Sequence, residues 1–347
     1  MSKTVNAWAA TSPHILEPIT IERREPDDND VAIDIKFAGI CHSDLHTAKG
    51  EWGETTYPLV PGHEIAGVVA AVGKNVRDFK VGDHVGVGCM VNSCRTCDSC
   101  KDGEEQYCLK GNTLTYNAKD PKEEGKITQG GYSNTLWSIR PSCCEFLITI
   151  PMNVAAPLLC AGITVYSPLK HWGMGPGKKV GVIGLGGLGH MAVKIAKAMG
   201  AEVTVFSQTL SKKDLGIKMG ADNYYATSDR SVFEPLKQSL DLIINTVSSK
   251  IPLTLYLTLL RRDSTLVEIG MPEEPLSIAP FVLAAQRVGV FGSMIGGIRE
   301  TQEMLDFCGE KQIFPEVETI PASYINEAYE RFRFVIDISS MESRAKI

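Results

Sequence analysis

Lys179-Val180-Gly181-Val182-Ile183-Gly184-Leu185-Gly186-Gly187-Leu188-Gly189-His190-Met191 is the stretch on which the fold turns. Its first five residues form a short apolar run of strand type, and Gly184, Gly186 and Gly189 follow directly in a G-x-G-x-x-G spacing. Met191, Ile195 and Ala198 then recur at helical intervals. A strand that turns through glycines into a helix has a physical use. Gly184 permits the tight turn, Gly186 lets the backbone approach a pyrophosphate, and Gly189 allows helix and strand to pack closely. The unpaired N–H groups of the helix start then face the phosphates. With Leu185, Gly187 and Leu188 completing the loop, residues 184–189 are the candidate dinucleotide cradle; a plain strand–helix turn is the competing reading.

The same rhythm continues outward. Val203–Phe206, Asp241–Ile244, Thr265–Ile269 and Val288–Phe291 are apolar runs with helix-length segments between most of them. Such alternation predicts a parallel sheet with helices on its faces, the α/β, doubly wound Rossmann-type arrangement, over residues 155–311. Residues 1–154 read differently. There, β-type runs (Val31–Phe37, Ile65–Val72, Asp83–Val87) are separated by Pro-Asp, Pro-Gly and Val-Gly-Asp turn signals, the pattern of a β-rich domain. Residues 312–347, with Glu316–Ile320 and Phe334–Asp337, return to that pattern, so the β-rich domain is expected to be discontinuous.

The length agrees with two domains, since 347 residues exceed one ordinary core. A formal net charge of −6 argues against a nucleic-acid or anionic-membrane partner. The start, Met1-Ser2-Lys3-Thr4-Val5, lacks the apolar stretch of a signal peptide, which predicts a cytoplasmic protein. Phe146–Leu169 carries no charge, but Pro151, Pro157, Gly162 and Pro168 predict a buried loop and short helix rather than a membrane span.

Ten cysteines in so long a chain point to metal, thiol chemistry or packing rather than to a disulfide scaffold. Cys94-x2-Cys97-x2-Cys100-x7-Cys108 is the sharpest pattern. Four thiolates so close in sequence can meet one closed, tetrahedral Zn²⁺; an iron–sulfur cluster would use the same ligands, but no second cluster motif accompanies them. Cys41, His63 and Cys160, from three separate segments, are the ligand types of a catalytic zinc with an open fourth position. On spacing alone that trio is also compatible with core packing. Cys89, Cys143, Cys144 and Cys308 show no metal spacing and read as packing or surface residues.

Cofactor choice is read at the end of the second strand of the α/β part, where an NAD site places a carboxylate. Ser207-Gln-Thr209-Leu-Ser-Lys212-Lys213 has none before Asp214. Hydroxyls and lysines suit a 2′-phosphate and predict NADP(H); the alternative is that Lys212 and Lys213 are a solvated helix start.

Together these stretches resemble the zinc-dependent medium-chain alcohol dehydrogenases, in particular the cinnamyl alcohol dehydrogenases and the bacterial NADPH-dependent aldehyde reductases near them. The resemblance rests on Gly39-Ile-Cys-His-Ser-Asp-Leu-His46, Tyr57-Pro-Leu-Val-Pro-Gly-His-Glu64, the four-cysteine lobe, Gly130-Gly-Tyr132, Ala156-Pro-Leu-Leu-Cys-Ala-Gly162, Gly184–His190 and Gly292-Ser-Met-Ile-Gly-Gly297. It implies a Rossmann-type domain beside a GroES-like catalytic domain, two Zn²⁺ per chain, NADP(H), and a homodimer through the edge strand near Val288–Phe291. By the same resemblance Cys41, His63 and Cys160 hold the catalytic zinc, Glu64 is an alternate ligand, and Asp44 orients His63. Ser43 and His46 would relay the proton, while Ser207, Thr209 and Lys212 would bind the 2′-phosphate.

The implied chemistry is hydride transfer between NADP(H) and medium-sized, aromatic or allylic alcohols and aldehydes. The sequence departs from the family in three places. Leu114 stands where lignin-pathway enzymes carry a tryptophan, so Trp52, Leu114 and Met294 are expected to line a broadly apolar pocket, unless they are ordinary packing. Residues 137–156 depart from the family's segment lengths, and 327–337 lacks residues before the last strand, which would displace Arg333, the expected partner of Glu64. Two rival functions stand beside this one: an NAD-dependent polyol or short-chain alcohol dehydrogenase, and a cofactor-binding protein of the same fold without turnover.

Overall fold

The computed structural model describes residues 3–139, 142–146, 149–329 and 334–341. The chain divides into residues 1–160 with 296–347, and residues 161–295. Its strands are β1 (Lys3–Ser12), β2 (Ile15–Arg23), β3 (Asp30–Gly39), β4 (Ile65–Val72), β5 (His84–Val87), β6 (Met90–Asn92), β7 (Thr113–Leu114), β8 (Thr135–Ile139) and β9 (Cys144–Glu145) in the first unit. The second unit holds β10 (Lys179–Ile183), β11 (Glu202–Ser207), β12 (Asn223–Ala226), β13 (Leu240–Asn245), β14 (Leu260–Glu268) and β15 (Gly289–Gly292), and the chain returns to the first with β16 (Glu318–Pro321) and β17 (Phe334–Asp337).

The first unit is built on a sheet ordered β16-β17-β3-β4-β5-β9, with β8 pairing β3 and separate β1-β2 and β6-β7 ribbons. In β3, Val31, Ile33 and Ala38 are fully buried while Asp34 reaches solvent. The tail strand β17 pairs antiparallel with β3, Ile336 opposite Ala38, which places the C-terminal segment in this β-rich unit. Residues 155–160 and 296–311, grouped with the dinucleotide-binding part in the sequence reading, also fall here. The local reasons are that Cys160 joins Cys41 and His63, and that Glu105 Oε2 accepts from the Ile298 amide.

The second unit is a six-stranded sheet ordered β12-β11-β10-β13-β14-β15, parallel throughout. Counted within the unit this is 3-2-1-4-5-6, the doubly wound order in which ligands bind beyond the carboxyl ends of the strands. Val180, Val182, Val203, Val205, Leu242 and Ile244 are fully buried, and the helix Gly187–Ala198 packs Met191, Ala192, Val193 and Ile195 inward.

One expectation is corrected. Residues 152–171 are not a loop with a short helix but a helical run: α over Met152–Pro157, π over Leu158–Gly162, α over Ile163–His171. The π turn follows directly on Pro157 and leads into the second α segment without a break. The run is long and apolar enough to cross a membrane, yet most of it is buried inside the protein, as in a core helix.

Candidate active site and metal centres

Asp44 is the geometric centre of the first site. It lies in the first turn of the helix His42–Lys49, is wholly buried, and accepts from four donors. Oδ2 accepts from the Cys41 amide (3.0 Å) and the Tyr132 hydroxyl (3.0 Å). Oδ1 accepts from the Gly62 amide (3.0 Å) and lies 3.1 Å from His63 Nδ1. Burial pushes this carboxyl up, but the His63 charge and the hydrogen bonds outweigh it and hold it below the usual carboxylate range. The carboxylate therefore ties together the two segments that carry Cys41 and His63.

Cys160 reaches the same point from the π turn. Its Sγ lies 3.2 Å from His63 Nε2 and 3.9 Å from Cys41 Sγ. Cys41, His63, Glu64 and Cys160 present ligand atoms all within 4.8 Å of one another. Two thiolates and an imidazole on one tetrahedral zinc would stand about 3.8 Å (S to S) and about 3.6 Å (S to N) apart, so the donor set and spacing fit that ion. In the bare cluster the Cys41 thiol is held well above its usual range, first by its hydrogen bond with Cys160 and then by burial. Burial and the neighbouring Cys41 likewise push Glu64 up. A cation reverses that logic, which is why such a group of buried thiols makes sense around one.

The second cluster is local. Cys94 and Cys100 lie 3.9 Å apart, as do Cys97 and Cys108, again the S-to-S spacing of a tetrahedral thiolate site. Backbone N–H groups point at the sulfurs: Cys97 at Cys94 Sγ, Leu109 at Cys97 Sγ and Cys94 at Cys108 Sγ, each at 3.4 Å. Donors aimed at sulfur favour the thiolate form, and those from Thr96 bring Cys94 down to about 5.

In the second unit the glycine loop has the conformation its sequence requires. Gly184 has φ +90°, and a Cβ there would meet Val247 Cγ2 at 2.7 Å; a Cβ on Gly189 would collide with the Gly184 carbonyl. Gly186 and Gly187 face open space at the start of the helix Gly187–Ala198, where no side chain caps the first amides. Leu185 is buried and its carbonyl accepts from Lys212 Nζ (3.2 Å), so Lys212 reaches over the loop. Ser207 ends β11, and Thr209 lies beyond it, exposed, 2.8 Å from the Ser211 hydroxyl.

The remaining expected residues separate into groups. Ser43 Oγ lies 3.5 Å from Cys41 Sγ, and His46 stands one turn on along the same helix face. His46 Nδ1 lies 2.5 Å from Glu51 Oε2, and its ring stacks on Trp52 with centroids 4.7 Å apart. Leu114 is half exposed in β7, while Met294 belongs to the second unit. Arg333 lies outside the described residues. Three residues at the first site carried no warning in the sequence. Cys89, read as packing or surface, interacts with Cys160 and His63, and its hydrogen bond with Cys160 brings the thiol down to about 6. The Tyr116 hydroxyl lies 3.2 Å from His63 Nδ1, and Tyr132 donates to Asp44. A lone cysteine and two tyrosines have no spacing that could have announced them.

Residues 27–143 match the alcohol dehydrogenase GroES-like domain family, and residues 187–310 match the zinc-binding dehydrogenase family. The chain belongs to the zinc-binding alcohol dehydrogenases. It is 58% identical to NADP-dependent alcohol dehydrogenase C 1 of Mycolicibacterium smegmatis, the match covering 98% of this chain and 99% of that one. Two solved structures are similar over 99% of this chain and 100% of theirs, each at 42% identity. A cinnamyl alcohol dehydrogenase of Sorghum bicolor superposes with TM-score 0.95. The Helicobacter pylori cinnamyl alcohol dehydrogenase, solved with NADP(H), gives 0.92.

Proposed function

We propose that this chain is an NADP(H)-dependent zinc alcohol dehydrogenase that interconverts medium-sized alcohols and aldehydes, aromatic and allylic ones foremost. The observation that carries the reading is the buried Cys41–His63–Glu64–Cys160 cluster at zinc spacing. Cys41, His63 and Cys160 would hold one zinc, with Glu64 as alternate ligand, and Cys94, Cys97, Cys100 and Cys108 a second, closed one. Bound at the first position, zinc polarises a carbonyl and eases deprotonation of an alcohol, while the nicotinamide supplies the hydride chemistry.

The chain's own groups do the rest. Asp44 accepts from His63 Nδ1 and so presents Nε2 to the metal position. Ser43, beside Cys41, exchanges the proton with the substrate oxygen, and His46, steadied by Glu51, passes it on. Ser207, Thr209 and Lys212 bind the 2′-phosphate; the absence of a carboxylate on 207–213 and the reach of Lys212 to Leu185 support that choice over NAD. Trp52 and Leu114 contribute apolar surface for the substrate. The exposed edge strand β15, with Phe291 52% exposed and Phe281 nearby in sequence at 81%, supports a homodimer through this edge. Ten free cysteines fit a reducing, cytoplasmic setting.

The test is NADPH oxidation with cinnamaldehyde and benzaldehyde, run beside NADH and a zinc determination. About two zinc per chain with turnover on NADPH is the expected result. A strong NADH preference would remove the phosphate-site reading, and one zinc without turnover would favour a protein that only keeps the fold.

A further inference from the structure

We infer that Tyr132 is a positioning residue for the metal-holding histidine, acting through Asp44. The inference rests on the zinc reading above and extends it to a residue outside the ligand set. A buried carboxylate is tolerated only when its lone pairs are taken up, and a carboxylate has about four such sites. Four hydrogen bonds fill those sites, with the Tyr116 hydroxyl close by as a further polar partner, and three of the donors (Cys41 N, Gly62 N and His63 Nδ1) belong to the segments whose positions are at issue. Those three alone could move together. Tyr132 is the fourth donor, comes from a different part of the chain, and is itself 0% exposed.

The segment that carries Tyr132 is fixed to the histidine loop in a second way. The amides of Gly130, Gly131 and Tyr132 donate to the carbonyls of Val60 (2.7 Å), Gly62 (2.8 Å) and Pro61 (3.0 Å). Gly62 has φ +100°, and a Cβ there would stand 2.6 Å from the Tyr132 ring, so the ring packs directly on the backbone before His63. On the other side β1 holds the segment, Trp8 N donating to Tyr132 O at 2.8 Å.

What Tyr132 decides is the partner of His63 Nδ1. That nitrogen has Asp44 Oδ1 at 3.1 Å and the Tyr116 hydroxyl at 3.2 Å, two partners for one proton, and the same hydroxyl also interacts with Asp44. With Oδ2 pinned by Tyr132, Oδ1 stays facing Nδ1, and Nε2 stays aimed at the point where Cys160 arrives. Without the pin the carboxylate can rotate, Nδ1 can turn to Tyr116, and the ring tilts out of the ligand direction.

The test is zinc release. Tyr132→Phe removes the hydroxyl and keeps the ring on Gly62. On the zinc-loaded enzyme, transfer of zinc to dipicolinate is followed with a zinc indicator. One of the two zinc ions is expected to leave at least about tenfold faster than in wild type, the other at the same rate, because partners behind a ligand typically govern 10–100-fold in metal affinity. In an Asp44→Asn background the same change is expected to add nothing. Tyr116→Phe, which removes the competing acceptor, is expected not to speed release.

Wild-type release rates in Tyr132→Phe would overturn the inference. So would an undiminished effect in the Asp44→Asn background, or equal acceleration by Tyr116→Phe. If Tyr132→Phe does not fold, the Asp44→Asn and Tyr116→Phe arms still decide: unchanged release in the first, or acceleration in the second, defeats it. A wild-type chain with only one zinc would instead defeat the zinc reading itself, a separate result.

Discussion

Replacing Cys100 by serine removes one ligand from the four-cysteine lobe, and the structure says where the damage should travel. Two thiolates 3.9 Å apart, as Cys94 and Cys100 are, repel by about 4 kcal/mol at an effective dielectric of about 20. Four thiolates stay together only around a cation, so a lobe that loses its zinc is expected to open. The lobe is also a support. Glu105 Oε2 accepts from the Ile298 amide at 3.0 Å, the first donor of the helix Ile298–Lys311, and Arg299 donates to the Asp102 carbonyl. A hydrogen bond to a carboxylate contributes about 2 kcal/mol. Its loss corresponds to about thirtyfold more frequent opening at that amide. Hydrogen exchange on Cys100→Ser, or on protein selectively stripped of the lobe's zinc, should therefore show about thirtyfold lower protection at Ile298. Protection around Met304 and Leu305, which are fully buried in the middle of that helix, should hold. If amides 94–108 exchange freely while Ile298 keeps its wild-type protection, the cap does not depend on the lobe and the reasoning fails.

Four further outcomes are expected. Cys160→Ser should abolish turnover and lower the zinc content from about two to about one per chain with little change in thermal unfolding; normal turnover would mean that Cys160 is not a ligand. Ser207→Asp places a negative charge at the 2′-phosphate position and should shift the ratio of kcat/KM values toward NADH by at least about tenfold, since at an effective dielectric of about 20 two charges about 4 Å apart repel by about 4 kcal/mol, well above the roughly 1.4 kcal/mol of a tenfold change; an unchanged ratio in steady-state kinetics would refute the site. Gly189→Ala drives a methyl into the Gly184 carbonyl and should weaken NADPH binding, measured by fluorescence titration, by about tenfold or more. Phe291→Glu on the open edge of β15 should convert a dimer to monomer in sedimentation velocity, and an unaltered sedimentation coefficient would place the interface elsewhere.

What could be read in the sequence divides by the distance over which each feature is determined. The glycine loop was legible because every requirement in it is local: the turn at Gly184 and the contact of Gly189 with the Gly184 carbonyl involve residues within one turn of each other. The four-cysteine lobe was legible for the same reason. The first cluster was not, because Cys41 and Cys160 are 119 positions apart and only β3, its neighbours and the π turn bring them within 3.9 Å. There the resemblance supplied what spacing could not.

Prolines show the opposite failure, a local rule overridden. Pro157 and Pro168 read as helix breakers, yet the helix runs on to His171 because it is buried, and burial outweighs one or two lost amide donors. Cys160 sits in the widened π turn that follows Pro157. Tyr132 marks the limit of sequence reading most clearly. Gly130-Gly131-Tyr132 entered the sequence reading only as part of the family resemblance; that the hydroxyl ends on Asp44, 88 residues earlier, follows only once the two loops are paired amide by amide.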